Sequence, residues 1–168
     1  MRLPLLVITF TGIACAALAA PVHADTVTVA KETVFSEDSG ASDNVKRECD
    51  MQGRLPKYIK DYAKKHTKVE FATEDLDSVE GKVLYLTFEH VYAPGGGGYS
   101  GAKSVSVVGE LKENGEVIAS LTADRAALMA MTPGTCSMLK RAVKKLGQDI
   151  GNWLKAPEMD SMLGDAAS

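Results

Sequence analysis

The sequence predicts an α+β fold: a mostly antiparallel sheet built on a three-strand meander, two helices packed on one of its faces, and one disulfide. Three observations lead there. Gly81 to Ala123 holds three runs in which apolar and polar residues alternate with a period of two. Two other stretches carry apolar residues at steps of three and four, as a helix with one buried stripe does. A cysteine lies on each of those stripes, Cys49 on the first and Cys136 on the second.

In the meander, Leu84, Leu86 and Phe88 alternate with Tyr85, Thr87 and Glu89, and Val105 and Val107 with Ser104 and Ser106. Val117, Ala119 and Leu121 then alternate with Ile118, Ser120 and Thr122. Asn114-Gly115 marks the second turn, a strong hairpin signal. A two-residue loop there sets Glu113 against Glu116 and, carried on in register, Val107 against Thr122. A three-residue loop sets Lys112 against Glu116, Leu111 against Val117 and Val107 against Leu121, so that one face is wholly apolar. The second register is the expectation, because a slip of one residue sends a whole set of side chains to the other face. The first connection, Ala93 to Gly101, is long and carries five glycines, which predicts a mobile tip.

Residues 1–24 read as a secretory signal peptide: Arg2, an apolar run, then Val22-His23-Ala24 before Asp25. A membrane anchor is a weaker rival, because Pro21 and His23 close the run early. Lipidation at Cys15 is another, with Gly12 where a larger apolar residue is expected. Residues 25–156 form a single α+β domain and 157–168 a flexible tail. Export predicts a periplasmic protein, not integral to the membrane after cleavage. The chain's net charge of −3, with basic residues grouped on helix faces, argues against nucleic acid as a partner. Export also favours a Cys49–Cys136 bridge over two free thiols.

Taken in order, Thr26 to Phe35 is β-rich and reads as a strand, and Ser36 to Ser42 is a polar loop. Asp43 is placed to cap a helix over Asn44 to Lys65, with Val45, Cys49, Leu55, Ile59 and Tyr62 on its stripe. Pro56 has no N–H to offer Gln52, which predicts a kink or two abutting helices. Lys57, Lys60, Lys64 and Lys65 form its outer side, read as a solvated face that suits the helix dipole, with a seat for acidic lipids or an acidic partner as the rival reading. Lys68 to Ala72 is a short strand, and Thr73 to Glu80 an acidic loop without calcium-loop spacing. After the meander comes an apolar connector, Ala126 to Met131. Thr132-Pro133 then opens a second helix, whose stripe is Cys136, Leu139, Val143, Leu146, Ile150 and Trp153.

Chemistry-bearing patterns are few. Gly98-Tyr99-Ser100-Gly101-Ala102 nearly copies the Gly-x-Ser-x-Gly of a nucleophile elbow, but a strand follows where that motif needs a helix. Gly101-Ala102-Lys103-Ser104 lacks the contiguous Gly-Lys-Ser of a phosphate loop. His90 continues the Leu84, Leu86, Phe88 face and reads as a packed sheet histidine. No histidine pair has metal-ligand spacing. The expectation is no catalytic residue, no metal and no cofactor. The tip, with Tyr92, Pro94, Tyr99 and Ser100, is the candidate interaction loop, since tyrosine at an apex offers contact area at small entropy cost.

NVKRECDMQGRLPKYIKDYAKK, GKVLYLTFEHVY, KSVSVVGELKENGEVIASLTADR and TCSMLKRAVKKLGQDIGNWLK together resemble small bacterial envelope proteins of unknown function. In outline they are similar to curli-secretion-lipoprotein-like and TolB-N-terminal-like α/β domains. The resemblance implies no catalytic residues. With no catalytic constellation, an exported core and a conspicuous loop, the expectation is a non-enzymatic periplasmic or envelope-associated accessory domain whose partner is another envelope protein. An inhibitor or immunity-type protein against a periplasmic enzyme is the alternative, and a small serine hydrolase using Ser100 a further one.

Overall fold

The computed structural model describes residues 26–128 and 134–167. The signal-peptide segment and the Thr132-Pro133 helix start therefore lie outside the described residues. Those described contain seven strands and three α-helices. They are β1 Thr26–Val29, β2 Val34–Phe35, α1 Asp43–Glu48, α2 Met51–Ala63 and β3 Lys68–Phe71. There follow β4 Lys82–Tyr92, β5 Lys103–Glu113, β6 Glu116–Ala127, α3 Thr135–Trp153 and β7 Ser161–Gly164. The sheet runs β3-β1-β4-β5-β6-β7, with β2 also paired to β4.

That sheet is mixed, which corrects the mostly antiparallel expectation. Only β4–β5 and β5–β6 are antiparallel; β1 lies parallel to both β3 and β4, β2 parallel to β4, and β7 parallel to β6. Parallel partners need a long crossover, and α1 with α2 supplies it between β1 and β3. One face carries the core. Leu84, Leu86, Phe88, Val105, Val107, Leu111, Ala119 and Leu121 are buried there with Met51, Leu55 and Ile59 of α2 and Leu139, Val143, Leu146 and Ile150 of α3.

The hairpin register departs from both readings. The loop is the two-residue one: Asn114 and Gly115 both have positive φ (52° and 88°), as a primed turn needs, and Glu113 faces Glu116. A bulge then slips the register between Leu111 and Lys112, so Leu111 faces Ala119 and Val107 faces Ala123. The apolar face that argued for the longer loop is achieved, but by one extra residue on β6. Gly109 fits this row because a Cβ there would come 2.9 Å from Leu86 Cδ2 and 3.2 Å from Leu121 Cγ.

A second bulge, between Phe88 and His90, puts β4 out of phase. Val91 takes the buried position, and His90 is exposed rather than a continuation of the Leu84–Phe88 face.

The first helical region breaks at Cys49-Asp50 instead of at Pro56. Ser42, not Asp43, is the N-cap of α1, its hydroxyl accepting from Val45 N–H. Asp50 has φ 49° between the two helices. Pro56 sits inside α2, and the Gln52 carbonyl it leaves without a helical donor accepts from Thr33 N–H at 3.1 Å. A loop amide thus replaces the missing helix bond, which is why the helix continues.

The C-terminal segment is a strand, not a flexible tail. β7 pairs with β6 from Leu121–Ser161 to Asp124–Gly164. Trp153 Nε1 donates to Ser161 Oγ at 3.0 Å, and Arg125 bridges Asp149 (2.7 Å) and Asp165 (2.9 Å). Ala126 and Ala127, expected in a connector, belong to β6. Cys49 and Cys136 are bonded, with Cα atoms 4.9 Å apart, joining the α1–α2 break to the first turn of α3.

Candidate functional site

The glycine-rich connection between β4 and β5 is partly ordered by a lysine. Lys103 opens β5 on the same side as Val105 and Val107 and is 0% exposed. Its Nζ donates to Ser100 Oγ at 2.8 Å and to the Gly101 carbonyl at 3.2 Å. Ser100 Oγ in turn donates to the Pro94 carbonyl at 3.3 Å. An ammonium with no exposed surface must find acceptors in the protein, and here the loop's own backbone and hydroxyl serve. The result is a latch across the tip, with Gly97–Ser100 as a short 3-10 turn that packs on α3. Gly96 and Gly101 both have φ 89°, a region that suits glycine.

Of the four candidate tip residues, the structure brings Pro94 and Ser100 together through this latch. Tyr92 and Tyr99 stand apart from it, 55% and 99% exposed. Lys103 was missed by sequence reasoning. Its signal was parity: counting back from Val107 and Val105 by twos places residue 103 on the buried face. The nucleophile-elbow likeness fails in its geometry, since Lys103–Glu113 is a strand where a helix would be needed.

The face of the sheet turned from the helices holds an open groove of about 630 Å³, lined in part by Tyr85, Thr87, Val108, Ser120, Thr122 and Met162. Tyr85 donates its hydroxyl to Asp77 at 2.7 Å, and Lys112 Nζ lies 4.6 Å from its ring centroid. Burial first, then the hydrogen bond and charge of Asp77, push its pKa up to about 12. No group of three or more His, Cys, Asp or Glu side chains among the described residues is arranged to hold a metal ion. No helix among them is long and apolar enough to cross a membrane.

Fold and tip together define an α/β domain with a mixed seven-stranded sheet, helices on one face and a latched glycine tip at one end of its two longest antiparallel pairs. No family model matches the chain, and no curated protein matches it. Solved structures do. The chain is similar to a Xanthomonas campestris protein of the DUF330 family, at TM-score 0.54 and 12% identity, over 86% of this chain and 91% of that one. At that identity the likeness shows the fold alone. It is also similar to the PelC dodecamer from Paraburkholderia phytofirmans (TM-score 0.45, 17% identity, 74% and 86% covered). A third similar structure is a minor lipoprotein from Acinetobacter baumannii (TM-score 0.44, 12% identity, 81% and 94% covered). At those TM-scores neither carries an argument about this chain.

Proposed function

We propose that this chain is a non-enzymatic, envelope-associated accessory domain that engages another envelope protein through the tip between β4 and β5. The observation that carries the reading is Tyr99. It is 99% exposed at the apex of a loop whose base is held by Lys103, Ser100 and Pro94. A large amphipathic side chain on a loop tied at its base loses less entropy on meeting a partner than one on an untied loop. Export is supported by the signal-like residues 1–24 and by the disulfide, which suits an oxidising compartment. In outline the proposal sets the chain beside curli-secretion-lipoprotein-like and TolB-N-terminal-like domains.

The hydrolase alternative has one contact in its favour, Lys103 Nζ at 2.8 Å from Ser100 Oγ. The direction of the bonds speaks against it. The lysine donates to the serine, and the serine spends its proton on Pro94, whereas a general base must accept the serine's proton. Labelling of Ser100 by a fluorophosphonate would reverse this reading.

The test is recovery of the partner on tagged protein from envelope extracts, followed by Tyr99→Ala. The variant is expected to bind that partner more weakly by about 1–2 kcal/mol with an unchanged melting temperature. Unchanged affinity would remove the tip from the interface.

A further inference from the structure

We propose that the corner formed by the C-terminal turn of α2 and the start of β3 is a seat for the anionic headgroups of a phospholipid surface. This goes beyond the tip interaction and uses a different part of the molecule. Lys57, Lys60 and Lys64 recur along one side of α2, and Lys65 and Lys68 carry the charge through the turn into β3; all five are exposed. Thr67 Oγ1 donates to the Leu154 carbonyl at 3.0 Å, and His66 Nε2 lies 2.8 Å from the Gly151 carbonyl. These bonds bring the end of α3, with Lys155 next to Leu154, to the same corner. Lys60, Lys64, Lys65, His66 and Lys68 line a groove of about 270 Å³ there.

The acids nearby do not neutralise it. Glu70 is paired with Lys68 at 2.7 Å, and Asp61 is exposed on α2 beside Lys60. Lys60 Nζ lies 4.7 Å from the Phe71 ring centroid. Among the described residues neither Lys64 nor Lys65 has a carboxylate at ion-pair distance. The local field is felt by Glu70, whose carboxyl is held below its ordinary value by the hydrogen bond and charge of Lys68, with Lys60 adding to it. The whole chain is acidic, at −3, so this cluster is a concentration of charge against the average.

What selects a membrane over another polyanion is where the chain enters. β1 lies parallel to β3 with Thr26 opposite Lys68, so β1 begins at this corner and the sequence before it joins the domain there. That sequence includes LPLLVITFTGIACAALAA, a run without a charged residue. Cleavage after Ala24 leaves the α-ammonium on Asp25, offset by that residue's own carboxylate, so the lysines carry the charge; an acyl chain on Cys15 leaves a lipid anchor a short tether away. An acyl chain with a basic patch is a two-signal membrane attachment, and lysines alone give a salt-sensitive one. β4 starts beside β1, with Val27 opposite Lys82, and runs eleven residues to the tip. The tip with Tyr99 therefore lies at the other end of β4 from the lysine corner, about 35 Å along the strand.

The experiment uses protein purified from the envelope of producing cells, with its N-terminus as the cell leaves it. Sedimentation compares vesicles of phosphatidylcholine alone with vesicles of equal parts phosphatidylcholine and phosphatidylglycerol. The reading is the ratio of the two affinities, which is insensitive to an acyl anchor. At low salt the anionic vesicles are expected to be favoured by about tenfold or more, and raising the salt shrinks the ratio. In K60Q/K64Q/K65Q/K68Q the ratio falls close to one with the circular dichroism unchanged, while K140Q/K144Q on α3 retains it. A ratio near one in the unmodified protein would overturn the proposal. So would an equal loss in the α3 variant, or binding to soluble dextran sulfate without preference for the anionic vesicles.

Discussion

Tyr85 holds its proton more tightly in the fold than in the unfolded chain, and the consequence has a sign. Its ordinary pKa is 10.0 and its folded one about 12. Between those values the unfolded chain has lost the proton and the native protein has kept it, so stability falls as pH rises through that window. Tyr85→Phe removes the ionising group. Melting temperatures of the native protein are therefore expected to drop more steeply than those of Tyr85→Phe between pH 10 and 12. Parallel curves would dismiss Asp77 and burial as the cause. At single residues the sequence was readable where parity held and misleading where it broke. Lys103 was there to be found by counting from Val105. His90 was not, because the bulge after Phe88 inserts a residue that no composition rule marks.

At the scale of elements, α2 and α3 meet at glycine. A Cβ on Gly147 would collide with Tyr58 Cβ and come 3.2 Å from the Ile59 backbone nitrogen; one on Gly151 would come 2.9 Å from Tyr62 Cβ. The neighbours include helix backbone, which cannot swing aside. Gly147→Ala gains helix propensity, worth about 1 kcal/mol, yet overpacking is expected to prevail. The predicted net loss is about 1–3 kcal/mol, read as a lower denaturant midpoint. A rise in stability would mean that the helices have room to part. The periodic stripe of Cys136 to Trp153 made α3 legible, whereas Gly147 and Gly151 were invisible as contacts because closeness needs the partner helix. β7 was missed for another reason: Ser161–Gly164 is four residues with a single alternation, and it is held by Trp153 of α3, which donates to Ser161, and by Arg125 of β6, which pairs with the adjoining Asp165. Turn chemistry at Asn114-Gly115 was legible, but the choice of loop length was not, since a bulge satisfied the same apolar face.

For the molecule as a whole, the disulfide is the one long-range link the sequence proposed outright, from two cysteines on two stripes. Non-reduced peptide mapping should recover Cys49 joined to Cys136. The bridge spans 87 positions, and by chain entropy its loss in Cys49→Ser/Cys136→Ser removes about 4–5 kcal/mol, measured by urea unfolding. Free thiols at both positions would contradict the link. The mixed sheet was not legible, because parallel and antiparallel partners draw on the same alternating pattern. Direction is decided by crossovers, which the alternating pattern does not mark.

That strand order also sets a sequence of events in time. β1 is the first described strand of the chain, yet both neighbours of its ladder, β3 and β4, lie far downstream. The β4–β5–β6 meander pairs strands that are neighbours in sequence and can form on its own. β1 must wait for it, and so must the cysteine pair, whose second member follows the meander. The domain is therefore expected to condense from its middle outward, with its first strand among the last to be seated.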